Sequence, residues 1–167
     1  MLKRTQSRFP AAELHLLDFL VGECSGPATV YPPGQDPIQF IANFSASRES
    51  CDRYLRIEFY ADVPILGRES AHVLMTYADE CSCYKMWIFS SMREEPTVLH
   101  GEFRDDVLTF VGEPSKTIWG MQRMRCSLRR IAEGVVDYCS EFWTIDGFVP
   151  YFRAQYTLLP PNRTEKE

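Results

Sequence analysis

The three histidines are the side chains with the most versatile chemistry in this chain, because imidazole ligates zinc and haem iron and titrates near neutral pH. His15, His72 and His100 have no close spacing of the kind that a zinc site uses. Haem needs a single axial histidine, so a haem-binding barrel relative is conceivable. A structural role is favoured for each histidine, and we predict neither a metal site nor a cofactor.

Cysteine is the next reactive residue type. Because the sequence contains no secretory signal pattern, we expect reduced thiols and a cytoplasmic protein. Cys81 and Cys83 form a C-x-C pair across a turn, which is a softer metal or redox signal than C-x-x-C, and chance explains it better. The six cysteines are Cys24, Cys51, Cys81, Cys83, Cys126 and Cys139.

Nucleophiles and paired carboxylates also lack the context that catalysis needs. Ser90 and Ser91 are not part of a G-x-S-x-G elbow, and no glycine-rich phosphate loop is found. The acidic pairs Glu94–Glu95 and Asp105–Asp106 fall in turns, where solvation explains them. We therefore predict no catalytic residue and expect that the protein is not an enzyme.

Composition limits the class of protein that could position such residues. The chain has 167 residues, a net charge of -5 and a pI near 5.3, which argues against binding to a phosphate backbone. No apolar run approaches the roughly 18 to 20 residues of a membrane span. We predict one domain over residues 11–160, with flexible tails at 1–10 and 161–167.

Hydrophobic periodicity predicts one helix followed by strands. Residues 11–21 have helical spacing, and Gly22 is a natural stop after them. Beyond Gly26 the period is two, and turn-forming residues recur about every ten positions. The ten candidate strands are 24–31, 38–50, 52–61, 68–77, 83–91, 98–104, 106–112, 118–130, 134–145 and 148–159.

Short connections between these strands favour antiparallel hairpins, because parallel pairing would need long crossovers. Ten such strands in an open sheet would leave two exposed edges, so closure into an up-and-down barrel is expected. The helix would then plug one end, with Gly22 and Gly26 allowing a sharp bend into the first strand. A two-sheet sandwich is the alternative, although its usual long connections are lacking after residue 38.

The fifth predicted strand is apolar on both faces, with Tyr84 and Met86 on one side and Trp87 and Phe89 on the other. Such a strand indicates either a partner subunit over the outer wall, hence a homodimer, or a cavity lined by aromatic side chains. Trp87 is the strongest candidate to touch a molecule in the centre, because an indole offers a large apolar area and one donor. Core packing is an equally good explanation of Trp87.

Several segments have an informative shared order: DFLVGECSG at 18–26, DRYLRIEF at 52–59, MTYADECSCYKMWIFSSM at 75–92, GEFRDDVLTFVG at 101–112, MR at 124–125 and FRAQYTL at 152–158. Together they resemble an uncharacterised bacterial domain-of-unknown-function family with a lipocalin-like, calycin-type barrel. The resemblance covers most of the chain and implies a helix-plugged antiparallel barrel but no established reaction. Cys24 stands where that family tends to have Trp.

Glu58 and Arg125 fall on positions that match the family, and they could pair inside the barrel and orient the polar end of a ligand. The simpler alternative is that Glu58 faces water beside Arg56. We predict that the barrel binds a small apolar or amphipathic molecule; a cyclase or isomerase and a filled dimerisation module are alternatives. The candidate ligand-binding residues are Trp87, Glu58, Arg125, Ser91, Tyr138 and Tyr156.

Overall fold

The computed structural model describes residues 12–117 and 120–160, and a closed antiparallel barrel of ten strands holds most of them. The predicted tails at 1–10 and 161–167 lie outside the described residues. None of the helices within the described ranges is both long and apolar enough to span a membrane.

The predicted fold class is confirmed: the barrel strands are connected up and down, and β1 pairs with both β2 and β12 to close the circle. Closure leaves no free sheet edge in the barrel. The strands are β1 Gly22–Val30, β2 Ile38–Glu49, β3 Tyr54–Val63, β4 Gly67–Ala78, β5 Cys83–Ser90, β6 Thr97–Arg104, β7 Val107–Gly112, β8 Ser115–Thr117, β9 Gly120–Gln122, β10 Met124–Ala132, β11 Val135–Thr144 and β12 Gly147–Leu158.

The region predicted as one strand at 118–130 is divided. Strands β8 and β9 form a separate two-stranded sheet, and the barrel strand β10 begins only at Met124. As a result β7 and β10 are neighbours in the barrel although they are not consecutive in sequence. The small sheet is an insertion between two neighbouring strands of the barrel.

The predicted helix at 11–21 is shorter and tighter than its pattern indicated. It consists of the α-helical turn α1 (Ala12–His15) and the 3-10 turn η1 (Asp18–Leu20). Leu14, Leu17 and Leu20 are at most 1 % exposed. Leu14 lies in α1, Leu17 directly before η1 and Leu20 at its end. The Leu17 N–H donates to the Leu14 carbonyl and the Leu20 N–H to the Leu17 carbonyl, and this three-residue spacing of hydrogen bonds places the three side chains on one line.

The two glycines at the start of the barrel have different roles, which corrects the expectation that both serve a bend. Gly22 has a φ of +126°, a backbone conformation that side chains disfavour. Gly26 lies within β1, and a Cβ atom there would lie 1.9 Å from the carbonyl oxygen of Gln155. Gly26 therefore permits the close approach of β12.

Four cysteines are free thiols, and Cys81 and Cys83 form a disulfide. Their Cα atoms are 5.3 Å apart across the turn between β4 and β5, within the range that a disulfide bridges. The expectation of six reduced thiols is therefore corrected at this pair.

Candidate functional site

A cavity of about 180 Å³ lies inside the barrel. Its wall is largely aliphatic, aromatic and methionine side chains, which arrive there because inward-facing positions alternate along each strand. In β5, for example, Tyr84, Met86 and Ile88 are buried while the residues between them face outward. The lining includes Leu20, Phe44, Ile57, Phe59, Val73, Met75, Met86, Ile88, Leu128, Tyr138, Phe152 and Tyr156.

One end of this cavity is closed by the segment of α1 and η1, which we call the plug. Leu20 contributes to the cavity wall from the plug. The Tyr84 hydroxyl donates to the carbonyl oxygen of Glu13 at 2.7 Å, and Arg48 Nη2 donates to that of Leu14 at 2.8 Å. Arg48 also forms an ion pair with Asp18 of η1. Hydrogen bonds from β5 and β2 thus hold the plug in the end of the barrel, where its leucines are buried.

The opposite end, which we call the mouth, is defined by Glu69, Ser90, Met92, Arg93 and Tyr151. These residues lie near the end of β5 and the starts of β4 and β12, whereas the plug packs near the other ends of the strands. The mouth therefore combines a cation, a carboxylate and two hydroxyl groups, in contrast to the apolar interior.

A β-bulge brings Tyr151 into the mouth. Strands β11 and β12 pair Ser140 with Phe152 but Glu141 with Pro150, which leaves Tyr151 as the extra residue. Both Tyr151 and Phe152 consequently line the cavity, although strict alternation would send one of them outward. The Tyr151 hydroxyl lies 3.5 Å from Met92 Sδ, and burial raises the pKa of this phenol.

Arg93 is half-buried at the mouth, and its partners are neutral. Its Nη1 donates to the hydroxyls of Thr97 and Ser115, the latter at 3.1 Å, and Nη2 lies 2.8 Å from Met124 Sδ. The guanidinium carbon lies 5.9 Å from the ring centroid of Phe142. Burial lowers the pKa of Arg93 because the charged form is desolvated.

Two predicted ligand-binding residues, Tyr138 and Tyr156, lie together on the cavity wall. The Tyr138 hydroxyl lies 3.4 Å from Cys126 Sγ, and the Tyr156 ring packs edge-on against Phe44 with centroids 4.7 Å apart. Burial raises the pKa of both phenols, so they are neutral near pH 7 and keep the wall uncharged.

Trp87, Glu58 and Arg125 lie on the outer face of the barrel, because they alternate with inward-facing residues on β5, β3 and β10. The predicted internal pair between Glu58 and Arg125 is not formed. Glu58 lies 3.6 Å from Arg56 Nη1 and 3.7 Å from His72 Nδ1, while Arg125 Nε donates to Glu141 at 2.5 Å. The simpler interpretation of Glu58, facing water beside Arg56, is the one that the structure shows.

Ser91 lies next to the mouth but is exposed. Its hydroxyl donates to Glu69 Oε2 at 2.8 Å and accepts from the Ser70 N–H at 3.1 Å. Ser91 therefore positions the Glu69 carboxylate from the outside of the barrel.

All three histidines are exposed to solvent, and none lines the cavity. The cavity accordingly presents no imidazole that could serve as an axial haem ligand. Within residues 12–117 and 120–160, no group of three or more His, Cys, Asp or Glu side chains has the proximity that a metal site needs.

The sequence patterns missed Arg93 and Glu69, although aromatic and methionine side chains were expected on the wall. Glu69 lies on the same face of β4 as the cavity-lining residues Ala71, Val73 and Met75. The alternation of this strand alone could therefore have predicted that Glu69 faces inward. Arg93 follows β5 in a turn, where strand alternation gives no direction. Its position depends on contacts with residues distant in sequence, which a local pattern does not contain.

The fold and cavity define a ten-stranded, plugged β-barrel protein. Among solved structures, the chain is similar to Rv2717c from M. tuberculosis, with a TM-score of 0.65 and 14 % identity over 90 % of this chain and 99 % of that one. At this identity the likeness concerns the fold alone. No protein-family model and no curated protein matches the sequence.

Proposed function

We propose that this barrel binds a small apolar or amphipathic molecule, in the manner of lipocalin-like barrels. The observation that carries the proposal is an apolar cavity with a plug at one end and polar side chains at the other. Ligand sites are typically apolar concavities with a few polar groups that orient the ligand. Tyr138 and Tyr156 belong to the proposed site, and Ser91 supports it through Glu69.

The volume favours a ligand about the size of one aromatic ring or a short acyl chain. An apolar cavity of about 150 Å³ takes up benzene, whereas sites for drug-sized ligands measure about 300–1,000 Å³. The 180 Å³ found here lies close to the first case. Methionine side chains on the wall can adapt to ligands of somewhat different shape.

Benzamide, a neutral single-ring molecule, provides a direct test. We expect it to raise the thermal midpoint of the protein, since a ligand that binds only the folded state stabilises it. Native mass spectrometry of freshly purified protein should also be performed, because a co-purified small molecule would support the proposal directly.

A matched pair of variants on β4 locates the binding. Ala71 lines the cavity, and the next residue, His72, is exposed on the outer face. Ala71→Phe should fill the cavity and abolish the benzamide effect, whereas His72→Phe should retain it. Equal responses of the two variants would contradict binding inside the barrel.

We also propose a homodimer through the outer face of β4, β5 and β6. Leu74, Trp87 and Val98 are cross-strand neighbours there, and Phe89 and Val98 are 45 % and 42 % exposed. An exposed apolar surface of this kind is typical of an interface. Light scattering should give a dimer mass for the protein and a monomer mass for Trp87→Glu; a monomeric parent protein would contradict this proposal.

A further inference from the structure

We infer that the mouth selects anionic amphiphiles: Arg93 binds the carboxylate of a small molecule whose apolar body occupies the cavity. This inference rests on the proposed binding function and names the chemical class of the ligand. It depends on the contacts of Arg93, the charges around it and the polarity of the wall.

The hydrogen bonds of Arg93 leave part of its donor capacity open. A guanidinium has five N–H donors. Three contacts are found, to the Thr97 and Ser115 hydroxyls and to Met124 Sδ. Two N–H groups therefore have no hydrogen-bond partner among the described residues, and Arg93 lines the cavity. A fork of two free N–H groups matches the two oxygens of a carboxylate.

No described carboxylate lies within ion-pair distance of Arg93. The adjacent carboxylate in the sequence, Glu94, pairs with Lys116 instead, with Nζ 2.8 Å from Oε2. A half-buried cation with only neutral partners is costly, because it has lost part of its water without gaining a counter-ion. An anionic ligand would supply that counter-ion.

The wall next to Arg93 fits the rest of such a ligand. Phe142, Met124 and Met92 lie around the guanidinium side of the cavity, and the described part of the lining contains no further cation between there and Leu20 on the plug. Tyr138, Tyr151 and Cys126 lie near Arg93, and burial raises the pKa of each, so they carry no charge near pH 7 that would neutralise it.

Glu69 is the opposing charge at the mouth. It lines the cavity and is held by the Ser91 hydroxyl at 2.8 Å, and it lies outside ion-pair distance of Arg93. Its carboxylate repels an incoming anion and so weakens anion binding. Removal of Arg93 and removal of Glu69 should therefore change the affinity for an anion in opposite directions. Removing this charge should therefore strengthen the binding of an anion and leave a neutral molecule unaffected.

The test compares benzoate with benzamide, which have nearly the same shape and differ in charge, by calorimetric titration. We expect benzoate to bind about tenfold or more tightly, as a charge-assisted hydrogen bond allows. In Arg93→Gln benzoate should lose this advantage and bind no more tightly than benzamide, because the Glu69 carboxylate that repels an anion remains. Equal affinities in the parent protein would overturn the inference and leave the proposed function intact, whereas no binding of either probe would overturn both.

Glu69→Gln provides a second variant that leaves Arg93 and its contacts unchanged. Benzoate affinity should rise by about threefold, in the range of a partly exposed charge interaction, with benzamide unchanged. An unchanged or weaker benzoate affinity in Glu69→Gln would overturn the inference even if Arg93→Gln failed to fold.

Discussion

The two ends of the barrel are built from the same strands, yet they satisfy their polar groups differently. At the plug, Tyr84 binds the carbonyl of Glu13, and Arg48 binds the carbonyl of Leu14 and has the Asp18 carboxylate as its counter-ion. Arg48 Nη1 is nevertheless buried without a hydrogen-bond partner among the described residues, so the plug differs from the mouth in charge pairing and not in complete satisfaction of its donors. At the mouth, Arg93 has only neutral partners. A cation with a carboxylate partner inside the chain stabilises the fold, whereas a cation with only neutral partners is available to an anionic ligand.

Substitutions at the two ends should therefore have different effects on stability and on ligand binding. Substitutions at the plug should lower the free energy of unfolding and leave the choice of ligand unchanged. Substitutions at the mouth should alter binding and have little effect on stability. The following predictions test this division, in order of decreasing effect.

Leu17→Ala should lower the free energy of unfolding by about 3 kcal/mol, because it leaves a void under the plug. Leu17 is fully buried and its neighbour Leu16 is 51 % exposed. Leu16→Ala is therefore the matched control, and it should cost less than about 0.5 kcal/mol. Urea unfolding measures both; equal costs would show that the plug is not packed as described.

Tyr84 should make the plug sensitive to alkaline pH. Burial raises the pKa of Tyr84 to about 12, so the folded state keeps this proton more tightly than the unfolded state does. Its contribution is complete below the ordinary pKa of about 10 and is lost as pH rises towards 12, by on the order of 2 kcal/mol. Unfolding of the parent protein and Tyr84→Phe should be compared between pH 8 and 12.

The other buried tyrosines contribute the same alkaline loss to both proteins, so the difference between them isolates Tyr84. The parent protein should be the more stable at pH 8, because it keeps the 2.7 Å hydrogen bond to Glu13. That advantage should disappear by pH 12. A difference that stays constant with pH would contradict the burial of this phenol.

Arg48→Met should cost about 1 kcal/mol, because it removes the hydrogen bond to Leu14 and the ion pair with the half-exposed Asp18. Arg56→Met is the control, since Arg56 is 46 % exposed and contacts only surface carboxylates. The ratio of benzoate affinity to benzamide affinity should be the same in both variants as in the parent protein. A changed ratio in Arg48→Met would undermine the separation between plug and mouth.

Met92→Ala should have the smallest effect on stability, about 0.5 kcal/mol, because Met92 is half-buried at the mouth. It should nevertheless weaken benzoate binding, since this side chain lines the cavity. Met121, at 64 % exposure, provides the control Met121→Ala, for which both stability and affinity should remain as in the parent. If Met92→Ala lost more stability than Leu17→Ala, the mouth rather than the plug would be the part that stabilises the fold, contrary to this account.

The barrel was predictable because its determinants are local. Alternating residues set the strands, short turns set antiparallel pairing, and the edge problem favours closure. The same alternation also predicts that Trp87 and Arg125 face outward, because their sequence neighbours Met86 and Met124 face inward. Their proposed contact with the ligand relied on residue type and family resemblance rather than on strand parity.

The mouth was less predictable because its geometry depends on long-range and irregular features. Arg93 is positioned by Ser115 and Met124, both more than twenty residues away. Tyr151 enters through a bulge at Pro150, which breaks the period of two that sequence reasoning uses. Irregularities of this kind redirect side chains at barrel rims without leaving a local sequence pattern.

Methyl NMR of methionine-labelled protein during a benzoate titration tests the central claim most directly. Met75, Met86, Met92 and Met124 line the cavity, and the exposed Met121 is an internal control. The account predicts shifts at the four cavity methyls, largest for Met92 and Met124 beside Arg93, with Met121 unchanged. Shifts confined to Met121, or none at millimolar benzoate, would contradict a ligand site inside the barrel.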